Sequence, residues 1–518
     1  MPYESHKKWL ITFTVILGTF IAALDSSIVN VAMPSMRGTL GASTSEITWV
    51  ATAYMLANVV VMPSIAFLSS RFGRARYFFW SVVLFGIGSV MCGLARSLSF
   101  MIFSRVLQGI GGGALIPISQ AIIRETFPPE EQGKAMGIFG MGVILGPAIG
   151  PTLGGWLTDT YSWPWIFYIN VPAIIASMIL IPMFIKDPPY LKRTKGYVDA
   201  LGLVSMTIGL SCLQIMLEKG QEHNWFQSAF IVKLSLVSFF ALAFFVWWEL
   251  RVKEPAVNLR VLKNIPLATG TSISTFLGMG LFGSLFLLPL FVQEIRGYPV
   301  VDSGIAMLPR SLTMALTMPL AGRFYQKLGP RKMLLAGVGL CSVSFFFMAR
   351  LTVETSVKDL FIPQLIQGLG FGIIFVSLST ASLATVDEKD MNAATGLFNL
   401  VRTIFGSVGI ALAATYLERA TITARAVLAE NLTITSPKTS IWLEKVISGL
   451  NLPGNTRERG PSKGPGAFGE TLNPTGCSHR IQLRFHARGL PLRCMHPIGV
   501  FVSITQRREG NKKLNGMI

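Results

Sequence analysis

Apolar runs of about 20 residues, each long enough to cross a bilayer, recur from Leu10 to about Tyr416, and short segments between them hold most of the charge. In lipid a backbone can satisfy its hydrogen bonds only as helices or as a closed barrel, and these unbroken runs lack the two-residue alternation of a barrel. The fold class is therefore an all-α polytopic membrane protein. Composition agrees: 51% of the 518 residues are hydrophobic and 14% charged. The net charge of +19 fits a nucleic-acid binder in isolation, yet basic loops on one side of a membrane give the same excess, so no nucleic-acid partner is expected.

The spans are placed at about 10–32, 48–69, 77–95, 99–123, 134–157, 165–185, 199–217, 229–247, 267–292, 303–325, 332–352, 358–383 and 392–416. The first has a basic flank (Lys7, Lys8) but no cleavage pattern, and reads as a span rather than a signal peptide. With the N-terminus in the cytoplasm, the inside loops receive Arg71/Arg74/Arg76, Arg124/Lys134, Lys186/Lys192/Arg193/Lys195, Arg251/Lys253/Arg260/Lys263 and Arg323/Lys327/Arg331/Lys332. The outside loops receive a few basic residues each, which fixes a cytoplasmic N-terminus. Cys92, Cys212 and Cys341 lie inside apolar runs and no CxxC pair occurs, so neither a disulfide nor a metal site is expected. No P-loop, HExxH or GxSxG stands in the right setting, so the chain is expected to be neither an enzyme nor a cofactor binder.

Three segments recur at nearly one offset. Pro63, Ala66, Arg71 and Gly73 match Pro319, Gly322, Lys327 and Gly329 at +256, and Gln108, Gly109 and Gly111 match Gln367, Gly368 and Gly370 at +259. Gly137 and Gly150 match Gly396 and Gly409, also at +259. A shared offset argues for duplication, with the substrate cavity between the two halves. The expected organisation is a six-helix half over 1–190, two extra central helices within 191–260, and a second half over 261–450 with five spans plus an extracytoplasmic loop. A fourteenth span should follow. Residues 451–518 do not supply it: they hold 11 lysines and arginines against 3 acidic residues, and no apolar stretch near the required length. Two readings stand for this tail, a disordered extension or a reading-frame change near Asn451, and the abrupt shift in composition favours the second.

Charge inside an apolar run is expensive, so each instance is a functional candidate. Asp25, in a stretch that continues through Asn30 to Pro34, is either a proton-carrying carboxylate facing a cavity or an interfacial helix-end group. Arg105 and Gln108 stand one turn apart beside glycines that let another helix approach, and a fixed cation near a titrating carboxylate alters its proton affinity. Arg105 couples proton release to substrate or simply ties two helices together; its counterpart in the second half, Gln364, is neutral. Arg310 and Arg402 fall within runs, lining the cavity or snorkelling to an interface. The fifth span carries Gly142, Gly146-Pro147, Gly150-Pro151 and Gly154-Gly155, small residues at four-residue spacing with prolines that bend the helix. The loop with Arg71, Gly73 and Arg74 is either a gate latching helix ends or simple topogenic charge.

These stretches, Leu24 to Pro34, Arg105 to Gly113 and the glycine–proline string, resemble the major facilitator superfamily, specifically the fourteen-span drug:proton antiporters of the EmrB/QacA type, over about residues 10 to 450. Val198 to Leu201-Gly202 and Leu213 to Glu218 resemble the EmrB branch. The resemblance implies proton-coupled efflux of lipophilic small molecules across the inner membrane of a Gram-negative bacterium, with a periplasmic adaptor and an outer-membrane channel as partners. It departs where the family's loop motif has glycine and aspartate and this chain has Ala66 and Ser70, so the aspartate-based latch is not carried over. The helices expected to line the cavity are rich in Met, Phe and small residues, which suits apolar or amphipathic substrates. A proton-coupled nutrient importer and an inactive relic or receptor are the alternatives.

Overall fold

The protein is described from a computed structural model, covering residues 5–187, 199–252, 255–295, 297–298, 300–352, 355–356 and 358–431. Among them, twelve helices are long and apolar enough to cross a membrane. In chain order they are α1 (Ser5–Leu40), α2 (Trp49–Phe72), α3 (Arg74–Gly93), α4 (Leu98–Thr126), α5 (Gln132–Thr160), α6 (Trp165–Phe184), α7 (Ala200–Lys219), α8 (Ala229–Glu249), α9 (Ile265–Leu290), α10 (Val300–Met348), α11 (Phe361–Leu383) and α12 (Met391–Asn431). The expected all-helical membrane architecture is what the chain adopts.

The tenth and eleventh spans, expected as separate helices, are two helices that meet at a kink of a single non-helical residue and are taken together as α10. Gly329 has φ 75° and ψ 159°, a conformation open to glycine but strained for residues with a Cβ. Gly73 turns the chain between α2 and α3 in almost the same way, at φ 88° and ψ 142°. The two arms of α10 are thus the repeat of α2 and α3. Further differences lie at span ends: α1 continues past the expected residue 32 to Leu40, so Asp25 sits about 22 Å from that end rather than two turns from it. Helix α12 runs on to Asn431; residues 414–431 belong to a second compact unit beginning at Ala414, and the basic tail lies outside the described residues.

Packing follows polarity. Helix α4, whose most apolar stretch is 78% buried, is enclosed by its neighbours, whereas the corresponding stretch of α8 is 17% buried and shows Phe239 and Phe240 outward, as a lipid-facing helix does. Close approach is set by glycines, which admit another backbone where a side chain would collide. On α4, a Cβ at Gly109 would lie 2.6 Å from the Tyr54 carbonyl oxygen of α2, and one at Gly113 would lie 2.9 Å from Asn58 Cα. On α11, Gly368 and Gly372 face Arg310, Thr313 and Met314 of α10 in the same manner. Apolar side chains fill what remains, with Phe78, Phe85, Ile118 and Phe139 among α1 to α6 and Met314, Met318, Phe371 and Phe398 among α9 to α12.

Candidate functional site

Asp25 is fully buried, and α1 delivers it to a set of donors from α4 and α6. Arg105 Nη1 donates to its Oδ2 at 2.6 Å, Gln108 Nε2 to its Oδ1 at 2.9 Å, and Asn170 Nδ2 to the same oxygen at 3.2 Å. The guanidinium is held from the other side too: Nη1 also donates to Gln108 Oε1 at 2.7 Å and Nε to the Val50 carbonyl at 3.0 Å, while the Tyr54 ring lies 4.4 Å from its central carbon. Arg105 is 1% exposed and Asn170 also 1%. A buried ion pair survives only where its remaining hydrogen-bonding capacity is met, and here both oxygens of the carboxylate are engaged. Asn170 in turn donates to Ser89 Oγ at 3.2 Å, and Ser89 to the Phe167 carbonyl, extending the network to α3.

Asp25, Arg105 and Gln108, singled out in the sequence, therefore meet. Asn30 does not join them: five residues along an α-helix is about 140° round its axis, and Asn30 is exposed. Asn170, Tyr54 and the Val50 carbonyl are the partners the sequence reading missed. Asn170 carried a usable signal, being a polar amide inside the sixth apolar run.

The glycine string of α5 lies flush on α1. A Cβ at Gly142 would press on Ile16, at Gly146 would lie 2.6 Å from the Leu24 nitrogen, at Gly150 would overlap Ser27 Oγ and at Gly154 would lie 2.6 Å from Ile28 Cγ1. Gly155 is also buried. The four-residue spacing thus places one backbone against the very segment of α1 that holds Asp25. Pro147 and Pro151 lie inside a helix that continues through both, leaving the Val143 and Pro147 carbonyls without their usual intrahelical donors.

In the gate loop, Arg74 is buried and grips Glu125 of α4 through two bonds of 2.6 Å. Gly73 packs on the Asp187 carboxylate, which also accepts from the Ala75 nitrogen at 2.8 Å. Arg71 is exposed. So acidic partners for this loop come from Glu125 and Asp187, at the ends of the fourth and sixth spans, although Ser70 replaces the family's aspartate. Beside it the bundle is tied across: Asn392 Nδ2 donates to Ser69 Oγ at 3.0 Å, Arg124 Nη2 to the Ala384 carbonyl at 3.0 Å, and Asn399 Nδ2 to Gln120 Oε1 at 2.7 Å.

Arg310 is 2% exposed and does not snorkel; it reaches Ser284 Oγ at 3.2 Å and Gln367 Oε1 at 3.4 Å. Arg402 Nη2 donates to Asn399 Oδ1 at 2.8 Å, and its guanidinium stands 5.2 Å from the Phe375 ring.

The sequence profile described as Major Facilitator Superfamily matches residues 15–410. The chain is 37% identical over 413 residues to the multidrug export protein EmrB of Haemophilus influenzae, covering 79% of this chain and 81% of that one. It is 36% identical over 416 residues to EmrB of Escherichia coli K12, covering 80% and 81%, and 34% identical over 419 residues to the fatty acid resistance protein FarB of Neisseria gonorrhoeae, covering 81% and 82%. Among solved structures it resembles the human organic anion transporter MFSD10, with a TM-score of 0.59 at 15% identity over 79% of this chain and 94% of that one. The proton:xylose symporter XylE gives 0.54 at 14% identity over 83% and 91%. With a family match across most of its length and relatives above 30% identity, this multi-pass membrane protein belongs to the major facilitator superfamily of transporters.

Proposed function

We propose that the protein exports lipophilic drugs or toxic small molecules across the inner membrane of a Gram-negative bacterium in exchange for protons, by alternating access. The observation that carries this reading is the buried Asp25–Arg105 pair with its amide donors. A proton taken up by Asp25 removes the carboxylate's charge, so Arg105 loses its counter-ion and the bonds that Asp25 accepts from Arg105, Gln108 and Asn170 weaken. Because α1 rests on the glycines of α5, a change at Asp25 has a close-packed surface on which α1 can shift. That links protonation to helix movement, the requirement for coupled transport.

In the same reading, α1–α6 form one six-helix half, α7 and α8 are the two extra helices, and α9–α12 supply five spans of the second. Their basic loops put the N-terminus in the cytoplasm by the positive-inside rule. A periplasmic adaptor and an outer-membrane channel, as in the resembled EmrB branch, would carry the exported molecule onward. The similarity to EmrB and FarB supports a lipophilic substrate.

The test is efflux of ethidium or an uncoupler from energised cells lacking their own pumps, with and without a protonophore. Efflux that stops on collapse of the gradient and needs no ATP is the expected result. Accumulation of the compound inside cells, or no gradient-dependent movement of it at normal membrane levels of the protein, overturns the reading.

A further inference from the structure

The duplicated helices carry the Asp25 network twice, with its charges redistributed. At the repeat's offsets, Ser284 stands for Asp25, Gln364 for Arg105, Gln367 for Gln108 and Arg310 for Tyr54. The geometry repeats with it. Where Arg105 Nε donates to the Val50 carbonyl, Gln364 Nε2 donates to the Ala306 carbonyl at 2.6 Å, and Ala306 is the counterpart of Val50. The first copy thus pairs a guanidinium with a carboxylate. The second keeps a guanidinium, moved from the α4 position to the α2 position, and has a serine hydroxyl where the carboxylate stood.

Arg310 is consequently a buried cation whose partners in the described residues are neutral and distant, at 3.2 and 3.4 Å. Among the described residues its Nη2 has no hydrogen-bond partner, and neither has Gln364 Oε1. Ser284 already spends its proton on the Leu281 carbonyl at 2.9 Å. A desolvated guanidinium with a free donor edge is a receptor for a planar two-oxygen anion, because its fork matches a carboxylate. Leu281, Met314 and Phe371, each about one turn along its helix from Ser284, Arg310 and Gln367, belong to one apolar cluster, which suits an apolar body rather than water.

We propose that Arg310 is the subsite for the anionic head of a lipophilic acid, a carboxylate on an apolar tail, which completes in the second copy the ion pair that Asp25 makes in the first. The assignment rests on the export reading and gives its substrates a preferred charge: lipophilic acids over lipophilic cations of the same length.

The experiment compares binding of decanoate and decyltrimethylammonium to the purified full-length protein at neutral pH, where a carboxylic acid is ionised. Arg310→Gln is expected to weaken decanoate binding by about tenfold or more, the loss of a charge-assisted bond, and to leave the cation within about twofold. Ser284→Asp is the second variant: it gives Arg310 an internal carboxylate, as in the first copy, so the buried charge stays paired while decanoate is displaced to a similar degree. Equal losses for both probes, an unchanged preference in the two variants, or wild-type protein that binds decanoate no better than Arg310→Gln overturns the assignment. Proton-driven flux measured in parallel separates the two readings. Arg310-dependent binding without such flux removes the export reading alone, and gradient-driven flux with an unmoved acid preference removes the Arg310 assignment alone.

Discussion

Asn399 of α12 donates its amide to Gln120 of α4 at 2.7 Å, and both side chains are 1% exposed. About one to two helical turns nearer one end of the bundle, Asn392 meets Ser69 and Arg124 meets the end of α11. These bonds close that end by joining helices from the two copies of the repeat.

Asn399→Ala removes the bond that crosses to α4, together with the local bonds to the Thr395 carbonyl and from Arg402, and leaves the Gln120 carbonyl buried without a donor. A typical net bond is about 1 kcal/mol, so the balance between closed and open at this end should move by about fivefold. In a chain with its native cysteines replaced, a cysteine at the buried position Thr395 should be alkylated by a membrane-permeant thiol reagent correspondingly faster in the Asn399→Ala background. An unchanged rate would show that Asn399 does not hold this end shut.

Arg74 and Glu125 form a two-bond pair, and both are largely withdrawn from solvent. Removing one partner of such a pair takes two charge-assisted bonds from the other, at a cost of about 3 kcal/mol when buried. Glu125→Gln should therefore lower the thermal midpoint in detergent, and adding Arg74→Gln should recover part of the loss because the two charges are then removed together. Additive losses in the double variant would mean that the two residues act independently.

Gly146 tests the packing of α5 on α1. Alanine there would set its Cβ 2.6 Å from the Leu24 nitrogen and 2.9 Å from the Ala23 carbonyl carbon, both backbone atoms that cannot swing aside. The helices must separate, at about 1–3 kcal/mol of overpacking. Transport should fall more than membrane insertion does, since the strain lies next to Asp25. Gly38→Ala, whose Cβ would meet nothing within 4 Å, is the matched control, measured for flux and thermal midpoint together.

The sequence exposes most readily what lipid forbids. Charge in an apolar run is costly, so Asp25 and Arg105 stood out, and with Gln108 one turn from Arg105 the pairing was within reach. The glycine string was equally plain, since four-residue spacing defines one helix face. What stayed hidden depends on three-dimensional register. Asn30 is near Asp25 in sequence but on another side of α1. Glu125 and Asp187 sit at span ends, where acidic residues are unremarkable until Arg74 and Gly73 are brought to them. The exchange of Ser284 and Arg310 for Asp25 and Tyr54 was obscured because α2 repeats at +256 and α4 at +259, so the aligned residues fall into one cluster only when the helices are packed.

Asp25→Asn bears most directly on the proposed coupling. The amide keeps the shape of the carboxylate and can still accept from Gln108, but it takes the counter-ion from Arg105 in a site with no solvent to replace it. Removing one partner of a buried pair costs about 3–5 kcal/mol, so reduced thermal stability is expected and must be separated from lost coupling. Asp25→Asn with Arg105→Gln provides the separation: with neither charge present, part of the stability should return, whereas a titratable group at position 25 does not. If Asp25 carries the proton, both variants in proteoliposomes should lose at least about tenfold of the pH-gradient-driven flux, while substrate exchange without a gradient persists in the double variant. Gradient-driven flux that returns along with stability would make the pair a structural tie between α1 and α4 and place the proton elsewhere.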